Sequence, residues 1–251
     1  MKNFTHTFSR FTAALIFAAL LAAACGGRKT DYIFILDLTE SVPAEARERS
    51  FEAVKTRARS LKRGDSLTII PITADAQIDT SGKVLHLEVG EKRKLADADL
   101  DEFLAHAETE LDRMQKEGKT YGQSDVLGAL RVALEETALT DKREKRVVIA
   151  VLSDMIHSTK DIRFETDARF SKAETARQYA ETFGENFGFK QTEIYVGFLE
   201  SSDMRKINAE RREAVREFWQ TYFNRAGAVR LQFASDGTGQ LKKFLNAGSA
   251  D

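Results

Sequence analysis

The feature that most constrains this chain is a series of short apolar runs separated by stretches of helical periodicity. The runs are "DYIFILDLT" (31–39), "SLTIIPIT" (66–73), "RVVIAVLS" (146–153), "TEIYVGFLE" (192–200) and "AVRLQFA" (228–234). Most place apolar residues consecutively, the pattern of a strand buried on both faces. Between them Phe51, Val54, Ala58 and Leu61 step by three and four residues. So do Leu100, Phe103, Leu104, Ala107, Leu111 and Met114, then Leu127, Leu130 and Leu134, then Phe170, Ala173, Ala176, Ala180 and Phe183. Residues 204–223 read as a further helix. Strands alternating with helices predict a mostly parallel sheet with helices on both faces. "VLHLEV" (84–89) alternates instead and fits a half-exposed edge strand. "DTSGK" (79–83) reads as a turn, and Pro71 argues against unbroken pairing of its strand. There is no repeat, linker or second core. One doubly wound α/β domain over residues 31–247 is expected, with a frayed tail at 248–251.

The first 24 residues differ in kind. "MKNFTHTFSR" carries Lys2 and Arg10 and no acid, and "FTAALIFAALLAAA" is uncharged and apolar. This is the layout of a secretory signal, too short for a comfortable membrane span of about 20 residues. Cys25, the only cysteine, follows in "LLAAACGG". The segment resembles a bacterial lipobox, in which cleavage before the cysteine leaves it N-terminal and lipidated. Ala22 stands where that motif usually has Leu, with Leu21 one place earlier. A lone thiol in an exported chain has no internal disulfide partner, which favours a covalent role for Cys25. Residues 25–30 would then be a lipidated cysteine and a short tether, placing the domain in the bacterial cell envelope, on the periplasmic face of a membrane or at the cell surface. Gly26 supplies no inner-membrane retention signal of the enterobacterial kind. Cleavage removes Lys2 and Arg10 and takes the net charge from −1 to −3, which gives no reason to expect nucleic acid as a partner.

In open α/β sheets, ligands bind beyond the carboxyl ends of the strands. Asp37 ends the first strand and Asp154 ends "RVVIAVLSD", so parallel neighbours would bring them to one edge. Thr39 and Ser41 follow Asp37, and Ser124 precedes the helix of "GQSDVLGAL". Asp37, Thr39, Ser41, Ser124 and Asp154 are all hard oxygen donors, a set suited to Mg²⁺ or Mn²⁺. A plainer reading makes Ser41 and Ser124 helix caps and the two aspartates turn formers. His157 reads as a solvated loop histidine, and the acidic run Asp97, Asp99, Asp101, Glu102, Glu108, Glu110 and Asp112 as a solvated helix face.

These segments resemble the von Willebrand factor A (VWA) domain family and its metal-ion-dependent adhesion site. "DLTES" matches Asp-x-Ser-x-Ser with Thr39 at the middle position; Ser124, followed by Ala129 and Leu130, matches the second element; "LSDM" supplies Asp154, with Met155 where the family often has Gly. The resemblance spans nearly the whole mature chain. It implies a single Rossmann-like, mostly parallel sheet with one antiparallel edge strand. It also implies hydroxyl ligands with the aspartates direct or through water, and an open metal position that takes an acidic side chain of another envelope protein. That is recognition, with no catalytic residue. Two rivals remain. A Mg²⁺-dependent haloacid-dehalogenase phosphatase would need a second Asp where Thr39 stands and paired acids where "VLSDM" has one. A scaffold lipoprotein would use the metal only to steady the fold.

Overall fold

The computed structural model describes residues 28–76, 84–90, 97–118, 123–183 and 188–247. The signal-like segment, Cys25, the expected turn at 79–83 and the tail at 248–251 lie outside them. Chain order is β1 (Lys29–Asp37), α1 (Ala44–Ala58), β2 (Ser66–Ile72), β3 (Leu85–Glu88), α2 (Asp97–Gly118), α3 (Val126–Ala138), β4 (Lys145–Ser153), a 3₁₀ turn (Ala168–Phe170), α4 (Ala173–Phe183), β5 (Thr192–Phe198), α5 (Ser202–Lys206), α6 (Ala209–Arg225), β6 (Arg230–Ala234) and α7 (Leu241–Asn246). The strands form one sheet in the order β3-β2-β1-β4-β5-β6. Every pairing is parallel except that of β2 with β3. The expected class, a doubly wound α/β sheet with one antiparallel edge, is the one observed.

The consecutive apolar residues of the strands serve two cores. Tyr32, Phe34 and Leu36 of β1 enter a cluster with Phe51 and Val54 of α1, Leu104 and Leu111 of α2, and Leu241 and Phe244 of α7. Ile33 and Ile35 enter the other, with Leu130 of α3, Ala176 of α4, and Phe218, Trp219 and Tyr222 of α6. Alternate side chains of a strand point to opposite faces, so a strand covered twice has no polar face to show. Each large side chain fully buried here contributes about 1.5–3 kcal/mol.

Four expectations are corrected. β1 begins at Lys29, two residues before Asp31, so the segment between Cys25 and the sheet is shorter than expected. Pro71 does not interrupt pairing: Leu36 stands opposite Pro71 and Asp37 opposite Ile72 in an unbroken register. The Ile72 carbonyl accepts from Leu38 N (3.3 Å), so Ile72 turns its peptide groups toward β1 and Pro71 turns away. β3 pairs with β2 only as far as Ile69, so the donor that proline lacks has no strand waiting for it. The helix expected over 170–183 is a 3₁₀ turn, started by Asp167 accepting from Arg169 N (2.8 Å), and then α4, with Thr175 Oγ1 donating to Arg169 O (2.7 Å) and Lys172 O (2.9 Å) across the junction. The helix expected over 204–223 is α5 and α6, separated where Asn208 accepts from Arg211 N (2.8 Å) and starts a new helix.

Candidate metal centre at the carboxyl edge of the sheet

The parallel pairing of β1 with β4 places Leu36 opposite Leu152, so the next residues of each strand emerge side by side at one edge. Asp37 and Asp154 are both buried there, at 2% and 1% exposure. Each forms a local turn: Asp37 Oδ1 accepts from Thr39 N (3.0 Å) and Asp154 Oδ1 from Ile156 N (2.8 Å). The turn-former reading of the aspartates is therefore correct as far as it goes. The cap reading of the serines is not. Pro43 stands at the start of α1 without a side-chain cap bond, and α3 is capped by Asp125, which accepts from Gly128 N (2.8 Å). A Cβ at position 128 would collide with that Asp125 carboxylate, so the cap requires the glycine.

With no helix to cap, the hydroxyls join the carboxylates. Thr39 Oγ1 donates to Asp37 Oδ1 (2.5 Å), Thr39 and Ser41 hydroxyls lie 3.1 Å apart, and Ser41 Oγ donates to Asp154 Oδ2 (3.3 Å). Four of the five residues singled out in the sequence thus form one chain of contacts. Ser124 is placed by backbone instead. Its N–H donates to Ser158 O (2.7 Å), its carbonyl accepts from Ser158 N (2.9 Å), and Asp125 N donates to Thr73 O (2.8 Å) just past β2. No described hydrogen bond links Ser124 to the other four. Its hydroxyl and that of Thr73 are buried and have no hydrogen-bond partner among the described residues.

Three neighbours were not legible as site residues. Ser153 reads as the end of an apolar strand, yet its hydroxyl donates to Asp37 Oδ2 (2.6 Å) and accepts from Met155 N (2.9 Å). Met155 has φ 61°, a left-handed conformation that a side chain adopts at a cost. Its amide is held by Ser153, its carbonyl accepts from Trp219 Nε1 (2.8 Å), and its side chain is fully buried. Those contacts let a methionine stand at a position that glycine would fill without strain. Ser201, whose Oγ accepts from Met204 N (2.9 Å), lies near enough to Asp154 to favour its charged form, and Ser202 N donates to Ser41 O (2.8 Å), so the β5–α5 loop closes one side.

The segment after Asp154 has little regular structure and is nonetheless buried. Phe164 stacks on Phe170 at 3.7 Å and packs edge-on to Phe218 at 4.9 Å, which seats the loop in the core. His157, expected to be solvated, belongs to this buried loop, with 3% exposure. Nδ1 accepts from Leu127 N (3.4 Å), and burial pulls its pKa down to about 4, so it is neutral at physiological pH.

Electrostatics at the edge are dominated by two buried acids. Burial raises the Asp37 pKa, against hydrogen bonds from Ser153 and Thr39. Burial and then the charge of Asp37 push Asp154 up to about 8. Such a pair cannot ionise fully near neutrality without compensating positive charge. Among the described residues no three of His, Cys, Asp and Glu form a group able to hold a metal. A cation here would rest on two carboxylates and on hydroxyls, and the residues present fit that: every donor is oxygen, and two buried hydroxyl oxygens lack partners.

No known protein-family profile matches the chain, and no curated protein matches it. Among solved structures it is similar to that of the manganese-loaded TRAP protein of Plasmodium vivax, at 12% identity and a TM-score of 0.44 over 89% of this chain and 74% of that one. That likeness concerns the general course of the chain.

Proposed function

We propose that this protein is a VWA-type recognition domain that binds Mg²⁺ or Mn²⁺ at the carboxyl edge of its sheet and takes an acidic side chain of a partner protein. The observation that carries the reading is the linked set Asp37, Thr39, Ser41 and Asp154, beside the partnerless Ser124 hydroxyl. Thr39, Ser41 and Ser124 would hold the ion by their hydroxyls, and Asp37 and Asp154 directly or through water. A bound divalent ion would supply a Lewis-acidic position that a partner's Asp or Glu can fill. The chain's own part is to fix the donors. Ser153 orients Asp37, the Ile156 amide orients Asp154, and the β5–α5 loop shields the carboxylates from bulk water. Recognition rather than phosphoryl transfer is favoured because Thr39 stands where the phosphatase would need a second Asp as general acid, and its hydroxyl is spent on Asp37 Oδ1.

In this reading Cys25 carries a lipid anchor and the domain works in the cell envelope. β1 starts four residues after Cys25, so the metal edge would face away from the membrane, roughly 26 Å along the strand at about 3.3 Å per residue. The test is thermal unfolding of a chain beginning at Gly26, with chelator and with Mg²⁺ or Mn²⁺. A ligand at a hundred times its Kd stabilises by about 2.7 kcal/mol. Asp37→Ala should abolish that gain and leave a folded domain. Absence of any shift with either ion in the unsubstituted protein would refute the metal site.

A further inference from the structure

The other end of the molecule holds a cavity of about 730 Å³, between α1, α7 and the start of β1. It opens at the amino edge of the sheet, opposite Asp37. Its lining is strongly cationic: Arg28, Arg49, Arg57, Lys62 and Lys242, against two acids, Glu52 and Asp65. Both acids are engaged. Glu52 pairs with Lys55 at 3.0 Å, and Asp65 accepts from the Thr30 and Lys62 amides, both at 2.8 Å.

Arg57 is the informative member. It is only 9% exposed. Its guanidinium donates to Tyr32 OH (3.4 Å) and Asn246 Oδ1 (2.7 Å) and lies 4.6 Å over the Tyr32 ring. These hydrogen-bond partners are neutral, and among the described residues no carboxylate is in ion-pair contact with Arg57, although its charge helps to hold down the pKa of Asp65 on the same cavity wall. A buried guanidinium with no carboxylate in contact is costly, and Asp65 and Glu52 together leave the five cations of the lining in excess, so an anionic ligand would supply the missing charge. Arg49 and Lys242 add exposed cations from the facing walls of α1 and α7, and Leu241 and Leu245 make part of the lining apolar. Several cations from separate elements around one cavity suit a multivalent anion, and a guanidinium fork matches phosphate oxygens.

We infer that this cavity binds a phosphate group, that of a phospholipid headgroup or of a soluble phosphate compound, with Arg57 as its buried contact and Arg49 and Lys242 as its rim. The inference does not draw on the metal site. Only its lipid form draws on the anchoring at Cys25, which would hold the cavity toward the bilayer.

The probes are inorganic phosphate and vesicles of phosphatidylglycerol or phosphatidylcholine. The protein is a chain beginning at Gly26, which keeps every residue of both core clusters and carries no lipid of its own. Chloride at matched ionic strength controls for screening. Phosphate raising the melting temperature where chloride does not, or retention on phosphatidylglycerol but not phosphatidylcholine vesicles, is the expected result. The first alone identifies a soluble ligand and the second alone a headgroup. Arg57→Gln should abolish the effect. Because that site is buried, Arg49→Glu combined with Lys242→Glu is the second variant, expected to weaken binding at least tenfold with the unliganded melting temperature unchanged. No specific response to either probe, or equal binding by the exposed double variant, overturns the inference.

Discussion

Replacing Asp154 with asparagine should stabilise the protein when no metal is present. The substitution is nearly isosteric. The introduced amide oxygen can keep the bond from Ile156 N, and its NH₂ can donate to Ser41 Oγ, whose own proton then turns to Thr39 Oγ1 3.1 Å away. Thr39 already donates onward to Asp37, so the chain of hydrogen bonds survives with its direction consistent. What is lost is the cost of a buried acid. The Asp154 carboxyl is held at about 8 in the fold, against about 3.9 in an unfolded chain. A raised folded pKa means that the unfolded chain gives up its proton first. Stability therefore falls as pH rises from about 4 to about 8, by up to about 1.36 kcal/mol per pH unit. Asp154→Asn removes that slope. The expected gain is on the order of 2–4 kcal/mol at pH 7, vanishing near pH 4. Asp37, whose pKa is also raised by burial, leaves some residual slope in the variant. The assay is urea unfolding in chelator at intervals from pH 4.5 to 8.5. With saturating Mg²⁺ the ranking should reverse, since the variant forfeits a charged ligand. A variant less stable than the parent at pH 7 in chelator, or a parent whose stability climbs between pH 5 and 8 by an amount the variant shares, would refute the reasoning.

Two further outcomes are expected. Arg146, 6% exposed, and the half-buried Arg230 share Glu193, and Arg146 Nε donates to it at 2.7 Å. Glu193→Gln should cost about 3–5 kcal/mol in chemical denaturation, because it leaves two guanidiniums without their counter-ion. The pKa of Glu193 is depressed in the fold, its pairing with the two arginines outweighing burial, so the parent's advantage is full above the usual glutamate range and should disappear as pH falls through the folded value. Cys25→Ser should block lipidation and processing of the full-length chain, as read by metabolic labelling with a fatty acid and by the size of the product. A variant still cut and still labelled would remove Cys25 as the anchor.

The sheet was legible because its central strands leave no ambiguity of face. Tyr32, Phe34 and Leu36 serve one core and Ile33 and Ile35 the other, and a run with no polar alternation has only one kind of place in an α/β fold. Pro71 misled because its effect depends on which neighbour its missing N–H would have faced, and that depends on where β3 stops. The breaks inside the two expected helices hid for a similar reason: Thr175, bonded to the carbonyls of Arg169 and Lys172, and Asn208, the cap of α6, act only once the chain has turned. At the carboxyl edge of the sheet, Asp37, Thr39, Ser41 and Asp154 could be named because each sits at a strand exit. Ser153 and Ser201 could not. One looks like strand and the other like loop, and their importance lies in reaching Asp37 and Asp154 from segments far away in sequence. His157 was placed in solvent because nothing local announces the aromatic layer of Phe164 and Phe170 that buries its loop.

The position of β1 has a consequence for how the molecule comes into being. β1 lies between β2 and β4, and its partner in β4 starts about 116 residues later, Lys29 standing opposite Lys145. Synthesis proceeds from the N-terminus, so the strand at the heart of the sheet emerges first and waits longest for its second neighbour. Sheets closed by such distant pairings form slowly, and until they close they present an apolar, unpaired edge to other chains. A nascent chain shorter than about 153 residues has α1, α2 and α3 available but lacks the strand that completes its centre. Guarding that edge is therefore a task for whatever accompanies the chain during its synthesis.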